Sequence, residues 1–459
     1  MYFDSGSHRD PSGRIVTDGK RVFRAVFEAG RNAFEAALAA GVLDRSIQRA
    51  QLLGMCKMDP DEFPVISPSP CHLLEHPRLD FVSYPYEWCF SGLKAAALLH
   101  LDLQLDILTD GYTLSDATAY NVQFKGTRPV FIDHLSIVPY TEGEPWVAHR
   151  QFTMQFLAPL ILWAKKGVAP NPWYRGSLEG IAPEDLLPLL NFRDRLSFTV
   201  IAHIVSQARQ KTRAINAGQN DLSRKASLPK GQFEAILIGL RDYIGGLAPP
   251  GGKTVWADYD KANSYNDEMR TAKHAFVAEM IAEVRPRQVF DLGCNSGDYA
   301  QTAIDHGAGN VVGFDFDFGA LEHAFNRFSK ADVPVLPIWL DAANPSPAQG
   351  WAGAERKSMA QRSEADSMIA LAFIHHLAIA RNIPLEMAVD WLVSLAPTGI
   401  IEFPDKNDSM VLRLLSTRKD IFPGYTEQAF ISHVEARARI METRKIEGTS
   451  RLLLRYDRT

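Results

Sequence analysis

The sequence predicts an α/β fold in two domains, the second of which is a mostly parallel sheet with helices on both faces. Three observations support this prediction. The chain has 459 residues, enough for two sizeable cores. The stretch GLAPPGGKT at 246–254 contains a Pro pair and a Gly pair, so it continues neither a helix nor a strand and marks a linker. Beyond it, apolar strand patterns alternate with helical patterns. We therefore expect domains at 1–245 and 255–459.

The second half of the chain contains five strand patterns separated by helical ones. The predicted strands lie at 288–293, 311–316, 333–340, 367–374 and 399–403. The predicted helices lie at 298–307, 320–331 and 385–396. The segments RIMETRKI and SRLLLRYD close the chain as a candidate antiparallel pair. Seven strands in this order predict a Rossmann-like, mostly parallel sheet, preceded by an N-terminal α+β domain.

Composition and charge exclude several classes of protein. With 46% hydrophobic and 22% charged residues, the chain is typical of a globular protein. Its net charge of -5 and its scattered basic residues give no nucleic-acid signature. No apolar stretch approaches the length of a bilayer span, and the start MYFDSGSHRDPSGR lacks an apolar leader region. We expect a cytoplasmic protein without a membrane partner. The sequence does not indicate an oligomeric state.

The cysteines point to the same compartment. The chain has only four, at Cys56, Cys71, Cys89 and Cys294, and no two of them form a C-x-x-C pair. That spacing favours neither a disulfide framework nor a zinc site, and it is typical of a reducing environment.

The most specific motif is DLGCNSGDYA at 291–300, between the first predicted strand and the next helix. Gly293 and Gly297 allow a sharp turn and a close approach of the backbone to a ligand. The helix that follows offers free N–H groups to a carboxylate or phosphate. The second strand ends in the acid Asp315 and the third ends at Asp341, and a carboxylate at the end of the second strand can accept hydrogen bonds from ribose hydroxyls. The alternative is that the glycines only end a strand and the acids are solvated.

DLGCNSG, followed by GFD, LDA and an HHL after the fourth strand, resembles the class I S-adenosylmethionine-dependent methyltransferases over residues 253–459. The resemblance implies S-adenosyl-L-methionine as cofactor. The residues it implies for binding that cofactor are Asp291, Gly293, Cys294, Asn295, Gly297, Asp315, Phe316, Asp341 and Lys273.

Within that set, the resemblance implies distinct roles. Asp291, Gly293 and Gly297 would shape the methionine side of the pocket. Asp315 would hold the ribose, and Asp341 would lie beside the adenine amine.

One departure from the family pattern lies in the loop itself. Asn295 replaces the central glycine of the common G-x-G-x-G form, a change that is tolerable because Asn also adopts left-handed backbone conformations. The same loop disfavours a dehydrogenase, since it reads G-C-N-S-G and not G-x-G-x-x-G.

Candidate catalytic groups follow the fourth strand, at the sheet edge where an acceptor must lie. His375 or His376 could act as a base or orient the acceptor, and a base is needed only if the acceptor carries a proton. The alternative is that one of them packs beneath the cofactor. A further alternative is a divalent metal bound by His375, His376, Glu402 and Asp405, which no H-x-x-x-H spacing supports.

The segment just before the first strand, WADYDKANSYNDEMRTAKHAFV, carries Tyr259, Tyr265 and Lys273. In similar methyltransferases this segment covers the cofactor. Lys273 could meet the methionine carboxylate, or it could be an exposed lysine on a helix.

The first half contains a fainter pattern. After a predicted long helix at 90–111, the spacing of Asp116, Asn121 and Asp133 resembles the catalytic and metal-binding loops of protein kinases and aminoglycoside phosphotransferases. The resemblance implies a base and two magnesium ligands. However, Leu114 replaces the usual His, DHL replaces D-F-G, and we find no Gly-rich loop or strand lysine. We therefore expect a degenerate kinase-like scaffold that does not bind ATP.

Two aromatic segments, FVSYPYEW at 81–88 and GEPWVAHRQF at 143–152, could line an acceptor pocket or belong to the core. The segments DPSGRIV, SYPYEW, DATAYNVQF and RPVFID, together with the second half, are similar to a bacterial group related to rhizobial nodulation-associated methyltransferases. The predicted function is methyl transfer to a small-molecule or glycan-type acceptor. The alternatives are a bifunctional kinase–methyltransferase, and a methyltransferase whose N-terminal module binds a carrier or partner protein.

Overall fold

The computed structural model describes residues 1–63, 66–209, 227–249 and 267–458. Contacts between residues divide the chain into two compact units. Unit 1 comprises Met1–Phe124, Arg128–Gly252 and Gln349–Arg356, and unit 2 comprises Lys125–Thr127, Lys253–Ala348 and Lys357–Thr459. The main division falls between Gly252 and Lys253. Two short segments belong to a different unit from the residues that flank them: Lys125–Thr127 to unit 2 and Gln349–Arg356 to unit 1. The sequence patterns do not predict this.

Several predictions lie outside the described residues. They are the linker residues 250–254, Tyr259 and Tyr265.

Unit 1 is built around a five-stranded antiparallel sheet with the strand order β1-β2-β3-β5-β4. Two smaller pairs, β6 with β9 and β7 with β8, follow it. The strands are β1 (Tyr2–Phe3), β2 (Gly13–Thr17), β3 (Val22–Val26), β4 (Cys56–Met58), β5 (His72–His76), β6 (Tyr112–Leu114), β7 (Val122–Lys125), β8 (Arg128–Phe131) and β9 (Ile137–Pro139).

The longest helix of unit 1 among the described residues is α3 (Phe90–Thr109). The α-helices described in this unit are α1 (Glu28–Ala39), α2 (Val42–Gln48), α3 (Phe90–Thr109), α4 (His149–Phe152), α5 (Ala158–Lys166), α6 (Asn171–Gly176), α7 (Pro183–Leu186) and α8 (Lys230–Gly246). Helix α3 matches the long helix predicted at 90–111, and it packs against α8. Short π-helical segments lie at Thr153–Leu157 and Val200–Val205.

Residues Gln349–Arg356, which belong to unit 1, are anchored by a buried carboxylate. Glu355 accepts hydrogen bonds from the Arg9 guanidinium at 2.5 and 3.1 Å and from the Trp351 N–H at 2.6 Å. The Arg356 guanidinium lies 4.4 Å from the centre of the Tyr120 ring. Because these partners are far apart in the sequence, no local pattern reveals the anchor.

Unit 2 contains a seven-stranded mixed sheet with the strand order β12-β11-β10-β13-β14-β16-β15. Its strands are β10 (Gln288–Leu292), β11 (Asn310–Asp315), β12 (Val335–Trp339), β13 (Ser367–Ala370), β14 (Thr398–Pro404), β15 (Arg439–Lys445) and β16 (Arg451–Asp457). Strands β10 to β14 are parallel, whereas β16 pairs antiparallel with both β14 and β15. The predicted mostly parallel sheet and its closing antiparallel pair are thereby confirmed.

The helices of unit 2 include those that connect the parallel strands. They are α9 (Asp267–Val284), α10 (Asp298–Asp305), α11 (Phe318–Ala331), α12 (Met359–Arg362), α13 (Leu385–Leu395), α14 (Ser409–Leu415) and α15 (Glu427–Glu435). A π-helical turn lies at His376–Ala380. None of the described helices is long and apolar enough to cross a membrane.

The burial of the central strand explains the topology. All five residues of β10 are buried, as expected for a strand of a parallel sheet that is covered on both faces. One core cluster includes Phe276 on α9 and Phe328 on α11, packed with side chains of the central strands. Parallel strands joined by helices bring their carboxyl ends to one edge, where α/β sheets bind ligands.

We predict that Gly297, the residue before α10, is more sensitive to substitution than Gly307, which follows the same helix. Both glycines have positive φ, 86° and 107°. A Cβ on Gly297 would lie 2.4 Å from the Phe328 ring, whereas a Cβ on Gly307 would meet nothing within 4 Å. Gly297→Ala should therefore lower the free energy of unfolding by roughly 1–3 kcal/mol more than Gly307→Ala, the usual cost of overpacking. Urea denaturation of both variants measures this, and equal losses would refute the packing argument.

Candidate functional site

A cavity of about 360 Å³ lies in unit 2, at the carboxyl ends of β10, β11, β12 and β13. Its volume is within the range of small-molecule sites. Of the sequence-predicted residues, those on its wall are Lys273, Gly293, Cys294, Asn295, Asp315, Phe316, Asp341 and His376. Asp291, Gly297 and His375 lie outside this wall. Most of the predicted residues therefore line one cavity, and Asp291, Gly297 and His375 do not line it.

The loop after β10 forms one side of the cavity. The N–H groups of Gly293 and Cys294 both donate to the Phe314 carbonyl oxygen, at 2.8 and 3.0 Å, which ties the loop to the neighbouring strand β11. Gly293 has φ 76°, and a Cβ there would lie 3.0 Å from the Phe373 ring. Asn295 has φ 48°. The structure therefore confirms that Asn295 adopts the left-handed conformation that replacing the central glycine requires.

Asp315, the last residue of β11, joins the loop to the cavity wall. One carboxylate oxygen accepts the Asn295 N–H and the other the Asp317 N–H, each at 2.8 Å. Burial raises the pKa of Asp315 to about 6, against the effect of these two N–H groups. A carboxylate has about four acceptor positions, so two hydrogen bonds leave capacity for a ligand hydroxyl.

Asp291 lies one layer deeper, within β10. Its side chain is buried, and its Oδ2 atom has no hydrogen-bond partner among the described residues. Burial raises the pKa of Asp291 to about 7, and the nearby Asp315 carboxylate raises it further in the same direction. The two acids therefore oppose each other's ionisation.

The opposite rim carries Asp341 and an arginine that the sequence analysis missed. The Asp341 carboxylate accepts the Ala343 N–H at 3.0 Å and lies 3.7 Å from the Arg381 guanidinium. The same guanidinium lies 5.6 Å from the centre of the Phe316 ring, which is exposed. Arg381 follows HHLAIA by chain order alone, and no pattern in the sequence marks it.

Lys273 differs from one of its two predicted alternatives. Its side chain is buried, so the alternative of an exposed lysine on a helix is wrong. The ammonium group lies 2.7 and 2.9 Å from the two carboxylate oxygens of Glu402 on β14. Burial would raise the pKa of Glu402, but Lys273 and Arg451 outweigh it and hold the pKa below its usual range. The lysine is thus part of the cavity wall and of a buried ion pair.

The two histidines after β13 have different surroundings. His376 lines the cavity, and its ring lies 4.2 Å from that of His375. Burial first, and Arg451 second, lower the pKa of His376 to about 4. His375 is buried, and neither of its ring nitrogens has a partner among the described residues.

The alternative metal set is not assembled. Glu402 directs its carboxylate to Lys273 and Arg451, not to the histidines. Within the ranges that the structure describes, no three His, Cys, Asp or Glu side chains are grouped as metal ligands.

The N-terminal end of α10 adds a group that no motif predicts. Asp298, the first residue of this helix, receives the guanidinium groups of Arg270 and Arg327, the latter at 2.6 Å. Asp298 and Arg270 both line the cavity. The helix end therefore carries fixed charge of both signs.

In unit 1, the predicted kinase-like residues also come together. The Asn121 side-chain amide donates to Asp116 and to Asp133, at 3.3 Å each. The Arg24 guanidinium, on strand β3, donates to Asp133 at 3.0 Å. No local pattern marks Arg24, because it lies 109 residues from Asp133 in the sequence.

A sheet with a Gly loop after its first parallel strand, an acid at the end of the second and an acid after the third agrees with the Rossmann-like fold that the class I methyltransferase resemblance predicts. No protein-family model matches the chain. The nodulation protein NoeA of Rhizobium meliloti (strain 1021) is 44% identical over 458 residues, which cover 99% of this chain and 96% of that protein. The chain therefore belongs to the NoeA family of nodulation proteins, which confirms the predicted relation to the rhizobial nodulation group.

Solved structures give weaker likenesses. The N-methyltransferase NodS from Bradyrhizobium japonicum WM9, in complex with S-adenosyl-L-homocysteine, is 14% identical, with 44% of this chain and 96% of that one covered and a TM-score of 0.33. The magnesium protoporphyrin IX methyltransferase ChlM from Synechocystis PCC 6803, with bound S-adenosylhomocysteine, is 20% identical, with 46% and 90% covered and a TM-score of 0.30. Likenesses of this strength do not reveal what this chain binds.

The paired acids predict a pH dependence of stability. The pKa of Asp291 is about 7 in the folded chain and near 3.8 in an unfolded one. The stability that this difference contributes to the folded state is therefore fully present below pH 4 and is lost as the pH rises through 7. Asp291→Asn removes this loss. The melting temperature of the variant minus that of the wild type should therefore increase from pH 5 to pH 8, measured without ligand.

Asp305→Asn is the matched control, because the Asp305 side chain is exposed on α10. Its melting temperature should follow that of the wild type at every pH. A difference for Asp291→Asn that stays constant with pH would contradict the assignment of a raised pKa.

Proposed function

We propose that the chain is an S-adenosyl-L-methionine-dependent methyltransferase that acts on a small-molecule or glycan-type acceptor. The observation that carries the proposal is the Asp315 carboxylate, which lies on the cavity wall and is fixed by the backbone of the Gly loop. A carboxylate in this place is suited to the two hydroxyls of a ribose.

The chemistry of the cavity wall fits the rest of this cofactor. Phe316 offers an aromatic face, and Asp341 a carboxylate, for an adenine ring and its amine. The Lys273 ammonium and the positive N-terminal end of α10 suit a carboxylate, as on the methionine end. The left-handed residues Gly293 and Asn295 let the backbone itself form the wall.

The bound cofactor supplies an activated methyl group on its sulfonium. The task of the chain is then to hold the acceptor atom in line with that methyl group and to exclude water, which accounts for much of the rate in such transfers. His376 is neutral at pH 7 because its pKa is about 4, so one ring nitrogen can accept a proton or a hydrogen bond from the acceptor. The His375 ring packs against it, with 4.2 Å between the two ring centres.

Two features support a small-molecule or glycan-type acceptor. The net charge of -5 offers no general attraction to nucleic acid. The cavity wall combines charged groups of both signs with aromatic rings, which suits a polar acceptor of limited size.

Titration calorimetry of the full chain with S-adenosylhomocysteine tests the assignment. Asp315→Ala should weaken binding about 10- to 150-fold, since hydrogen bonds to a charged group contribute roughly 1.5–3 kcal/mol. Asp305→Ala, an exposed acid on α10, is the control and should bind like the wild type. Absence of binding to the wild type would refute the function, and unchanged affinity of Asp315→Ala would refute the role of this residue.

A second activity deserves a test because Asp116, Asn121 and Asp133 converge in unit 1. We propose nevertheless that unit 1 is a non-catalytic module that binds the acceptor, a carrier or a partner protein. The carboxylate of Asp133 already accepts hydrogen bonds from Arg24, Asn121 and the Leu135 N–H, so an internal guanidinium compensates the charge that magnesium would otherwise neutralise.

We therefore expect no magnesium-dependent thermal shift with ATP. The measurement is differential scanning fluorimetry of the full chain, with S-adenosylhomocysteine as the positive control. A clear shift that needs both ATP and magnesium, and that Asp133→Ala abolishes, would contradict this expectation and indicate a bifunctional kinase–methyltransferase.

A further inference from the structure

A buried network of four charges lies behind the cavity in unit 2. Glu402 on β14 contacts the Lys273 ammonium at 2.7 Å and the Arg451 guanidinium at 3.1 Å. Arg451, the first residue of β16, contacts both carboxylate oxygens of Asp408, at 2.6 and 3.0 Å. Two cations and two anions therefore balance, and all four side chains are buried.

A buried charge network of this kind contributes little to the stability of the fold. Burying each charge costs several kcal/mol, and well-packed apolar residues often replace a buried ion pair without loss of stability. Removal of one member, in contrast, leaves an uncompensated charge. A buried charge network therefore points to a functional role when its members also position other parts of a binding site.

Glu402 holds two separate parts of the cavity wall. One is Lys273, on α9. The other is Ala372, just after β13, whose N–H donates to the Glu402 Oε2 atom at 2.6 Å. Glu402 itself does not line the cavity.

The hydrogen bond to Ala372 compensates for an unfavourable backbone conformation. Ala372 has φ 49°, in the left-handed region that non-glycine residues rarely adopt. The next residue, Phe373, places its ring against Gly293, the first glycine of the loop after β10. A change at Glu402 would therefore reach both the lysine and the aromatic side of the cavity.

We propose that Glu402 is a positioning residue for the donor end of this cavity, acting through Lys273 and through the Ala372 backbone. The proposal rests on the proposed function, since the ligand positioned is the methyl donor. Arg451 and Asp408 complete the charge balance and fix the Glu402 side chain, but they do not touch the wall.

The test compares two variants of the full chain that break the same network at different points. Glu402→Gln should weaken the binding of S-adenosylhomocysteine at least about tenfold, the size expected for losing a hydrogen bond to a charged group. Asp408→Asn should change affinity less than about threefold, since it is remote from the wall. Both variants should lower the melting temperature. Calorimetry gives the dissociation constants, and scanning fluorimetry the melting temperatures.

A rescue separates positioning from a general loss of stability. Glycine adopts φ 49° without an anchoring hydrogen bond, so adding Ala372→Gly to Glu402→Gln should recover part of the affinity. If Glu402→Gln does not fold, Glu402→Asp decides the question, because it keeps the charge but withdraws the carboxylate from the Ala372 N–H. Weak binding by the Asp variant supports the proposal, and wild-type binding overturns it.

The outcomes distinguish a failure of the positioning role of Glu402 from a failure of the proposed methyltransferase function. If the wild type does not bind S-adenosylhomocysteine, the proposed function fails. If the wild type binds and Glu402→Gln binds equally well, only the positioning role fails. If both network variants lose affinity in proportion to their melting temperatures, the network is structural and the positioning role is also refuted.

Discussion

The parallel register of β10 and β11 is the constraint on which the site depends. It sets Asp291 opposite Gly313 and Leu292 opposite Phe314, so the loop after β10 lies directly against the end of β11. The Phe314 carbonyl oxygen can then accept two N–H groups of the loop, and the Asp315 side chain a third. The Gly loop is thus built by its neighbouring strand, and its shape follows from the sheet.

Charge is distributed unevenly behind this loop. Burial raises the pKa of Asp291 to about 7 and that of Asp315 to about 6. On the other side, Glu402 is fully compensated by Lys273 and Arg451. The Asp291 Oδ2 atom has no hydrogen-bond partner among the described residues. Such an atom beside a compensated network is typical of a ligand site, where the fold tolerates a local cost that binding can offset. The compensated side gives the cavity a fixed wall.

The sequence predicts what depends on local pattern. The alternation of strands and helices, the Gly loop and the acid at the end of β11 all follow from short windows of residues. The Glu402–Lys273 pair, 129 residues apart, and the Arg24–Asp133 pair, 109 residues apart, do not, because only the fold brings their elements together. Lys273 shows the difference well: its helix carries no pattern that distinguishes a buried lysine from an exposed one. Likewise, no local pattern predicts that Lys125–Thr127 belong to unit 2 and Gln349–Arg356 to unit 1.

A crystal structure of the full chain grown with saturating S-adenosylhomocysteine tests the central claim most directly. The account predicts electron density for the ligand in the cavity of unit 2, with both ribose hydroxyls within hydrogen-bond distance of the Asp315 carboxylate. It also predicts that the amino-acid end of the ligand lies on the side of Lys273 and α10. Density for the ligand at another place, or an empty cavity at saturating concentration, would contradict it.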